Sequence, residues 1–122
     1  MIGSVARIIL FVWDVPAVAA FYRDKLGLSV IGEIEPGWTE LNAGAINIAL
    51  HHAGRYHTRS GASSPAKVVF QVDDVPATKV VLEADGVRMS EISTWEGIQF
   101  CDGRDPAGNP FQISTRHGSE RS

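Results

Sequence analysis

The feature that most constrains the fold of this chain is an internal repeat. Residues 11–17 read FVWDVPA and residues 71–77 read QVDDVPA, so Asp14 and Asp74 lie 60 positions apart (74 − 14). Each copy begins with an apolar run and continues through a helix-like segment to a glycine. A repeat of this length indicates that each half is one supersecondary unit, which completes its core against the other half.

The composition is that of an ordinary globular protein. Of the 122 residues, 44% are hydrophobic and 20% are charged, as expected for one domain built from two small modules. The net charge of −3 and the pI near 5.7 argue against nucleic-acid binding. The apolar runs are too short to span a membrane. Cys101 is the only cysteine, which excludes an internal disulfide and favours a reducing, cytoplasmic location.

The first half has the pattern of a βαβββ module. Residues 5–12 are β-branched and aliphatic, which predicts a buried strand. Asp14 is placed to cap a helix with Pro16 in its first turn, and Gly27 suits a left-handed position at its end. Short strands are predicted over residues 28–33, 38–42 and 45–51.

The second half repeats this order. A strand is predicted over residues 67–72, followed by a helix from Asp74 to about Asp85. Residues 53–65 lack periodicity and are interpreted as the connection between the halves. The remaining strands are predicted over residues 87–92, 95–101 and 110–115.

These elements predict an α+β fold in which two pseudo-symmetric βαβββ modules form a curved mixed sheet around a cleft. The modules span about residues 4–52 and 66–116 of a single domain, 1–122. Two half-sheets that meet around a pseudo-twofold axis would leave room for a small molecule between them.

Strand alternation divides the residues between two faces. The apolar face, which includes Ile8 and Ile48, is expected to lie under the helices. The other face mixes polar and apolar side chains and suits a small-molecule ligand. Gln99 is placed on this second face because Ile98 and Phe100 suit the core better. The predicted ligand face carries Arg7, Asn47, His51, Lys67, Gln99 and Gln112.

Two segments resemble a known group of proteins. Residues 21–28 read FYRDKLGL and residues 105–111 read DPAGNPF. Together with the repeated modules, they resemble the vicinal oxygen chelate superfamily, which contains glyoxalases, bleomycin-resistance proteins and extradiol dioxygenases. The resemblance runs from about residue 5 to residue 115. It implies the two-module fold and a homodimer, but this fold hosts many chemistries.

The resemblance also implies four metal-ligand positions, usually occupied by His and Glu in the metal enzymes. Here these positions fall on Arg7, Ala49, Lys67 and Gln112. Arginine cannot be deprotonated to coordinate a cation, alanine has no donor atom, and glutamine is a weak neutral ligand. We therefore expect no divalent metal and no other cofactor.

Arg7 and Lys67 occupy equivalent positions in the two halves, and two interpretations of them remain open. Both cations could bind an anionic ligand such as a carboxylate, a phosphate or an enolate. Alternatively, they pair with Glu40 or another acid, or extend to solvent.

The histidines and tryptophans supply further candidates. His51, on the ligand face, suits general acid–base chemistry or a ligand contact, and equally a polar strand end. His52 is expected to point away. His57 and His117 fall in the connection and the tail, and a metal cluster of His51, His52 and His57 is only weakly indicated.

Trp38 and Trp95 are predicted to begin equivalent strands in the two halves. They could form aromatic walls for a planar ligand, or rim and dimer contacts.

The leading hypothesis is a metal-independent small-molecule-binding protein that sequesters a toxic or anionic compound. The alternative is a lyase, isomerase or dioxygenase of the same superfamily, with His51 as its base. We expect the protein to form a homodimer, and we expect no nucleic-acid or membrane partner. The predicted ligand-binding residues are Arg7, Trp38, Asn47, His51, Lys67, Gln99 and Gln112.

Overall fold

A computed structural model of the chain describes residues 1–54 and 66–116. The chain divides into two compact units, Met1–Gly61 and Ala62–Ser122. Most of the predicted connection, with His57, and the tail with His117 lie outside the described residues. Neither helix in the described part has the length and apolarity needed to cross a membrane.

The first unit is a four-stranded mixed sheet with one helix. The strands lie in the order β1-β4-β3-β2, with β1 parallel to β4 and the other pairs antiparallel. In chain order the elements are β1 (Arg7–Val12), α1 (Val15–Asp24), β2 (Ser29–Ile31), β3 (Trp38–Asn42) and β4 (Asn47–His52).

The second unit has the same topology. Its strands lie in the order β5-β8-β7-β6, with β5 parallel to β8. The predicted α+β class with two similar modules is therefore confirmed. The elements are β5 (Val68–Gln71), α2 (Val75–Ala84), β6 (Ser93–Trp95), β7 (Ile98–Arg104) and β8 (Pro110–Ser114).

The repeated Asp-Val-Pro-Ala motif begins both helices. The Asp14 side chain accepts a hydrogen bond from the Ala17 amide at 3.0 Å, and Asp74 accepts one from the Ala77 amide at 2.9 Å. Each carboxylate thus satisfies a backbone donor that the first helical turn leaves unpaired. Gly27 has the expected positive φ of 78°, three residues beyond the end of α1.

The strand prediction for residues 87–92 is wrong, because the second hairpin lies further along the chain. The prediction over residues 95–101 ran through the turn between β6 and β7. Glu96 (φ 48°) and Gly97 (φ 81°) form that turn, and positive φ at both residues is typical of a tight hairpin. Glu-Gly is a weaker turn signal than Asn-Gly, so the turn was missed. Val87 and Met89 are nevertheless buried, which explains the strand-like alternation.

Each helix covers one face of its sheet. In the first unit, Val18 and Tyr22 of α1 are buried, as are Leu41 and Ile48 of the sheet beneath. Ile8 was expected in this core but is 37% exposed, because β1 is the edge strand and α1 packs on β2, β3 and β4.

The core of the second unit includes a close contact that requires glycine. Cys101, Phe111 and Ile113 are buried with Leu82 of α2. A Cβ atom at Gly103 would lie 2.6 Å from the Phe111 ring, so only glycine fits beside this ring. The Cys101 thiol is free, as expected for a small core residue, and burial raises its pKa.

Asp105 organises the turn between β7 and β8. Its side chain is buried and accepts hydrogen bonds from the backbone amides of Ala107 and Asn109, both at 2.9 Å. The Asn109 side chain adds a third bond at 3.1 Å. The DPAGNP segment is therefore a turn built around one buried carboxylate.

Replacing Asp105 with alanine is expected to lower the free energy of unfolding by about 2–4 kcal/mol, because buried donors lose their acceptor. Urea unfolding followed by circular dichroism measures this. Asp105→Asn keeps one oxygen for the backbone amides and should lose less. Asp73→Ala, at an exposed site, is the matched control. An equal effect of D105A and D73A would contradict the structural role of Asp105.

Candidate functional site

The face of the first sheet opposite α1 carries most of the predicted site residues, and we call it the first open face. Arg7 and Asn47 are opposite each other on β1 and β4, and His51 lies opposite Trp38 on β3. Directly opposed residues project to the same face. The members of this face on β1, β4 and β3 are Arg7, Ile9, Phe11, Asn47, Ala49, His51, Trp38, Glu40 and Asn42.

Glu40 is the centre of the polar part of the first open face. Its Oε2 atom accepts a hydrogen bond from Asn47 Nδ2 at 2.8 Å and one from Arg7 Nε at 3.3 Å. The hydrogen bond from Asn47 is the main reason that the pKa of Glu40 lies below its usual value, and Arg7 and Trp38 lower it further. Glu40 is therefore held in its charged form.

The second sheet contains an equivalent arrangement. Lys67 Nζ and Gln112 Nε2 both donate to Oδ1 of Asp102, at 3.1 Å and 3.0 Å. In each unit, a cation and an amide thus converge on a single carboxylate oxygen.

The strand registers show that the carboxylates and the cations of the two arrangements are equivalent, whereas the amides are not. Ala49 lies between Ile9 and Glu40 in the first sheet, just as Gln112 lies between Val69 and Asp102 in the second. Arg7 lies two positions before Ile9, and Lys67 lies two positions before Val69. The predicted equivalence of the two cations therefore holds.

The structure shows the pairing with acids that is one of the two interpretations of these cations. Arg7 contacts Glu40, and Lys67 contacts Asp102, so each positive charge has a carboxylate beside it. The Arg7 bond uses only Nε. A pair of opposite charges attracts a free anion much less than a lone cation does. The expected pairing with acids is confirmed.

Aromatic rings form the other part of the first open face. The His51 ring lies 5.4 Å from the Phe11 ring and 5.6 Å from the Trp38 ring, with the Trp38 contact edge-to-face at 85°. Phe11, on the edge strand β1, is 41% exposed. Exposed aromatic carbon beside fixed polar groups is typical of a surface that binds planar organic molecules. We call these three residues the aromatic cluster.

Two placements from the sequence are wrong. Cys101 and Ile113 are opposite each other and buried, whereas Asp102 and Gln112 are opposite each other on the other face. Gln99 alternates with Cys101, so it lies on the helix side and not with Gln112. Trp95 ends the edge strand β6 instead of beginning a strand equivalent to that of Trp38.

The two errors have different causes. The missed Glu96-Gly97 turn put Trp95 at the start of a predicted strand, whereas Gln99 was misplaced because the apolar residues Ile98 and Phe100 were assigned to the core. Asp102 was not a candidate because the predicted strand ended at Cys101. With β7 extended to Arg104, alternation between Cys101 and Gly103 places Asp102 on the ligand side.

The residues at the superfamily's metal positions do not fit a divalent cation. Arg7 and Lys67 repel one, and Ala49 offers no ligand atom. The Gln112 amide donates to Asp102. In the described ranges 1–54 and 66–116, no group of three or more His, Cys, Asp or Glu side chains is placed to hold a metal.

The two units share the βαβββ topology, and each carries polar side chains on the sheet face opposite its helix. In the first unit this face also carries the aromatic cluster. The chain is thus a two-module α+β protein. A family model of the Glyoxalase/Bleomycin resistance protein/Dioxygenase superfamily matches residues 4–113, and the chain belongs to that superfamily. No curated protein matches the chain.

Several solved structures share the fold. A lactoylglutathione lyase from Agrobacterium tumefaciens is 25% identical, with a TM-score of 0.73 over 91% of this chain and 92% of that one. An integron cassette protein from the mobile metagenome of V. cholerae is 27% identical, with a TM-score of 0.73 over 96% and 98%. TnmS3, an antibiotic-binding protein from Streptomyces sp. CB03234, is 18% identical, with a TM-score of 0.75 over 92% and 94%.

Replacing Asn47 with alanine is expected to raise the pKa of Glu40, because the Asn47 hydrogen bond is the largest single cause of the lowered value. The wild-type contribution to stability is present above the unfolded-state pKa of Glu40 and is lost as pH falls through the lower folded-state pKa. Side-chain carboxyl NMR titration measures the pKa directly. An unchanged pKa of Glu40 in N47A would contradict the role of this hydrogen bond.

Proposed function

We propose that this protein binds a planar small organic molecule on the first open face, without a metal. The observation that carries the proposal is the aromatic cluster of Phe11, Trp38 and His51 beside the fixed Glu40 carboxylate. Aromatic side chains supply contact area at low conformational cost, while fixed polar groups set the orientation of a ligand.

The charges on this face indicate the kind of ligand. Because Glu40 neutralises Arg7, a strongly anionic compound gains little, and a neutral planar molecule fits better. The remaining nitrogens of Arg7 can still donate to a ligand carbonyl or carboxylate. A purely anionic ligand is thus less favoured than the sequence alone indicated.

Sequestration of a toxic compound is the role that we infer for such binding. The antibiotic-binding protein TnmS3 shares the fold, so this scaffold supports binding of that kind. Lys67 and Gln112 of the second unit form a polar surface of their own, which we propose as a separate ligand-binding surface. We also propose a homodimer in the cytoplasm, which size-exclusion chromatography with light scattering and cell fractionation would test.

Enzymatic turnover is the second candidate. The likeness to a lactoylglutathione lyase at 25% identity favours it, and His51 beside the Glu40 centre would be the base. An NMR time course of a bound compound separates the two functions. A ligand that remains chemically unchanged supports binding alone, whereas steady conversion supports a lyase, isomerase or dioxygenase.

Replacing Trp38 with alanine is expected to weaken binding of 2,6-dimethoxynaphthalene by roughly fivefold to tenfold, because the variant loses one wall of the aromatic cluster. Isothermal titration calorimetry measures the dissociation constants. Trp95→Ala is the matched control, since Trp95 is exposed at the edge of the second sheet. Equal losses in both variants, or no binding to the wild type, would overturn the proposed site.

Incubation with Zn²⁺, Ni²⁺, Mn²⁺ or Fe²⁺, followed by desalting and elemental mass spectrometry, tests metal independence. We expect substoichiometric metal, because Arg7, Ala49 and Lys67 offer no suitable donor atoms. Stoichiometric metal that is retained by the wild type but lost in His51→Phe would contradict the proposal and identify a site away from the superfamily's positions.

A further inference from the structure

The two adjacent histidines at the end of β4 make opposite kinds of hydrogen bond. His51 Nδ1 lies 2.8 Å from the carbonyl oxygen of His52. His52 Nδ1 instead lies 3.2 Å from the backbone N–H of Gly54. A carbonyl oxygen has no proton to donate, and a backbone N–H cannot accept one. His51 Nδ1 must therefore be the donor in its bond, and His52 Nδ1 the acceptor in its own.

These bonds fix the two neutral imidazoles in different tautomers. His51 carries its proton on Nδ1, which leaves a bare lone pair on Nε2. His52 carries its proton on Nε2. Of the two rings, only His51 belongs to the aromatic cluster, since His52 contacts Trp13 instead.

Nε2 of His51 is available to a ligand. The His51 side chain is exposed, and none of the hydrogen bonds within residues 1–54 and 66–116 involves its Nε2. The contacts with Phe11 and Trp38 are ring contacts that do not use this lone pair. A hydrogen-bond acceptor thus lies at the edge of the surface on which a planar ligand would rest.

Glu40 supplies a second acceptor on the same face. Trp38 is opposite His51 and Glu40 is opposite Ala49, so Glu40 and His51 are diagonal neighbours across β3 and β4. Diagonal neighbours in an antiparallel pair are about 7–8 Å apart. The two side chains are therefore near enough to contact one planar molecule of a few fused rings.

We infer that the ligand is a planar aromatic compound with O–H or N–H groups, one of which donates to Nε2 of His51. This inference rests on the proposed function and makes it more specific. A phenolic hydroxyl at the ring edge would bond to Nε2, and a donor at the far edge would bond to Glu40. His51 then selects for donor-bearing ligands, and the cluster supplies contact area for any planar molecule.

Two probes of the same shape separate the hydrogen bond from the ring contacts. The compound 2,6-dihydroxynaphthalene has two donors, whereas 2,6-dimethoxynaphthalene has none. We expect the wild type to bind the dihydroxy compound roughly threefold to tenfold more tightly. Equal affinity for the two probes would overturn the inference and leave the proposed function standing. Binding of neither probe would overturn both.

Substitution of the two histidines tests the assignment to His51. His51→Phe keeps an aromatic ring but removes the acceptor, so it should reduce the preference for the dihydroxy probe to the part that Glu40 supplies. His52→Phe is the matched control and should keep the full preference. A reduced preference in H52F, or an undiminished preference in H51F, would overturn the role of His51.

Nitrogen-15 NMR of the imidazoles in the unliganded wild type tests the tautomers without any substitution. At a pH where both rings are neutral, His51 should show a protonated Nδ1 and an unprotonated Nε2, and His52 should show the reverse. A protonated Nε2 on His51 would overturn the inference even if naphthalenes bind, because His51 would then offer the ligand no acceptor.

Discussion

In each unit the first strand pairs in parallel with the last, and this pairing determines where the candidate site residues lie. A parallel pair cannot be joined by a tight turn, so the intervening helix and strands must cross over before the last strand returns beside the first. In the first unit this return places Asn47 and His51 of β4 beside Arg7 and Phe11 of β1. Residues far apart in sequence become neighbours on one face.

The charges on the open faces follow from the same geometry. In the first unit β3 lies on the other side of β4 and brings Glu40 within reach of Arg7 on β1. In the second unit β7 lies on the other side of β8 and brings Asp102 within reach of Lys67, just before β5. A cation alone at these positions would suit an anion, but each has a carboxylate beside it. The open faces are therefore polar and locally balanced in charge, which favours shape and ring contacts as the basis of recognition.

The sequence predicted the topology because its strongest signals are local and repeated. Asp14 and Asp74 cap their helices as the motif indicates, and β3 has the predicted bounds. The hairpin of β6 and β7 was misplaced because Glu96 adopts positive φ, which its residue type does not signal.

The site was less predictable than the fold. Strand alternation identified Arg7, Asn47, His51, Lys67 and Gln112, but the choice between a free cation and an ion pair depends on cross-strand distances. The tautomers of His51 and His52 were beyond sequence reasoning altogether, since they depend on where a carbonyl and an amide point at the end of β4.

The two carboxylate centres also show how the halves of this chain have diverged. Glutamate is one methylene longer than aspartate, and glutamine is one methylene longer than asparagine. The first half pairs the longer acid with the shorter amide, Glu40 with Asn47, and the second half pairs the shorter acid with the longer amide, Asp102 with Gln112. The two amides also reach their carboxylates from different places, because Gln112 is directly opposite Asp102, whereas Asn47 lies two positions before Ala49, the residue opposite Glu40. What the halves share is thus a carboxylate that receives an amide hydrogen bond, although the amide comes from a different position of the last strand in each half.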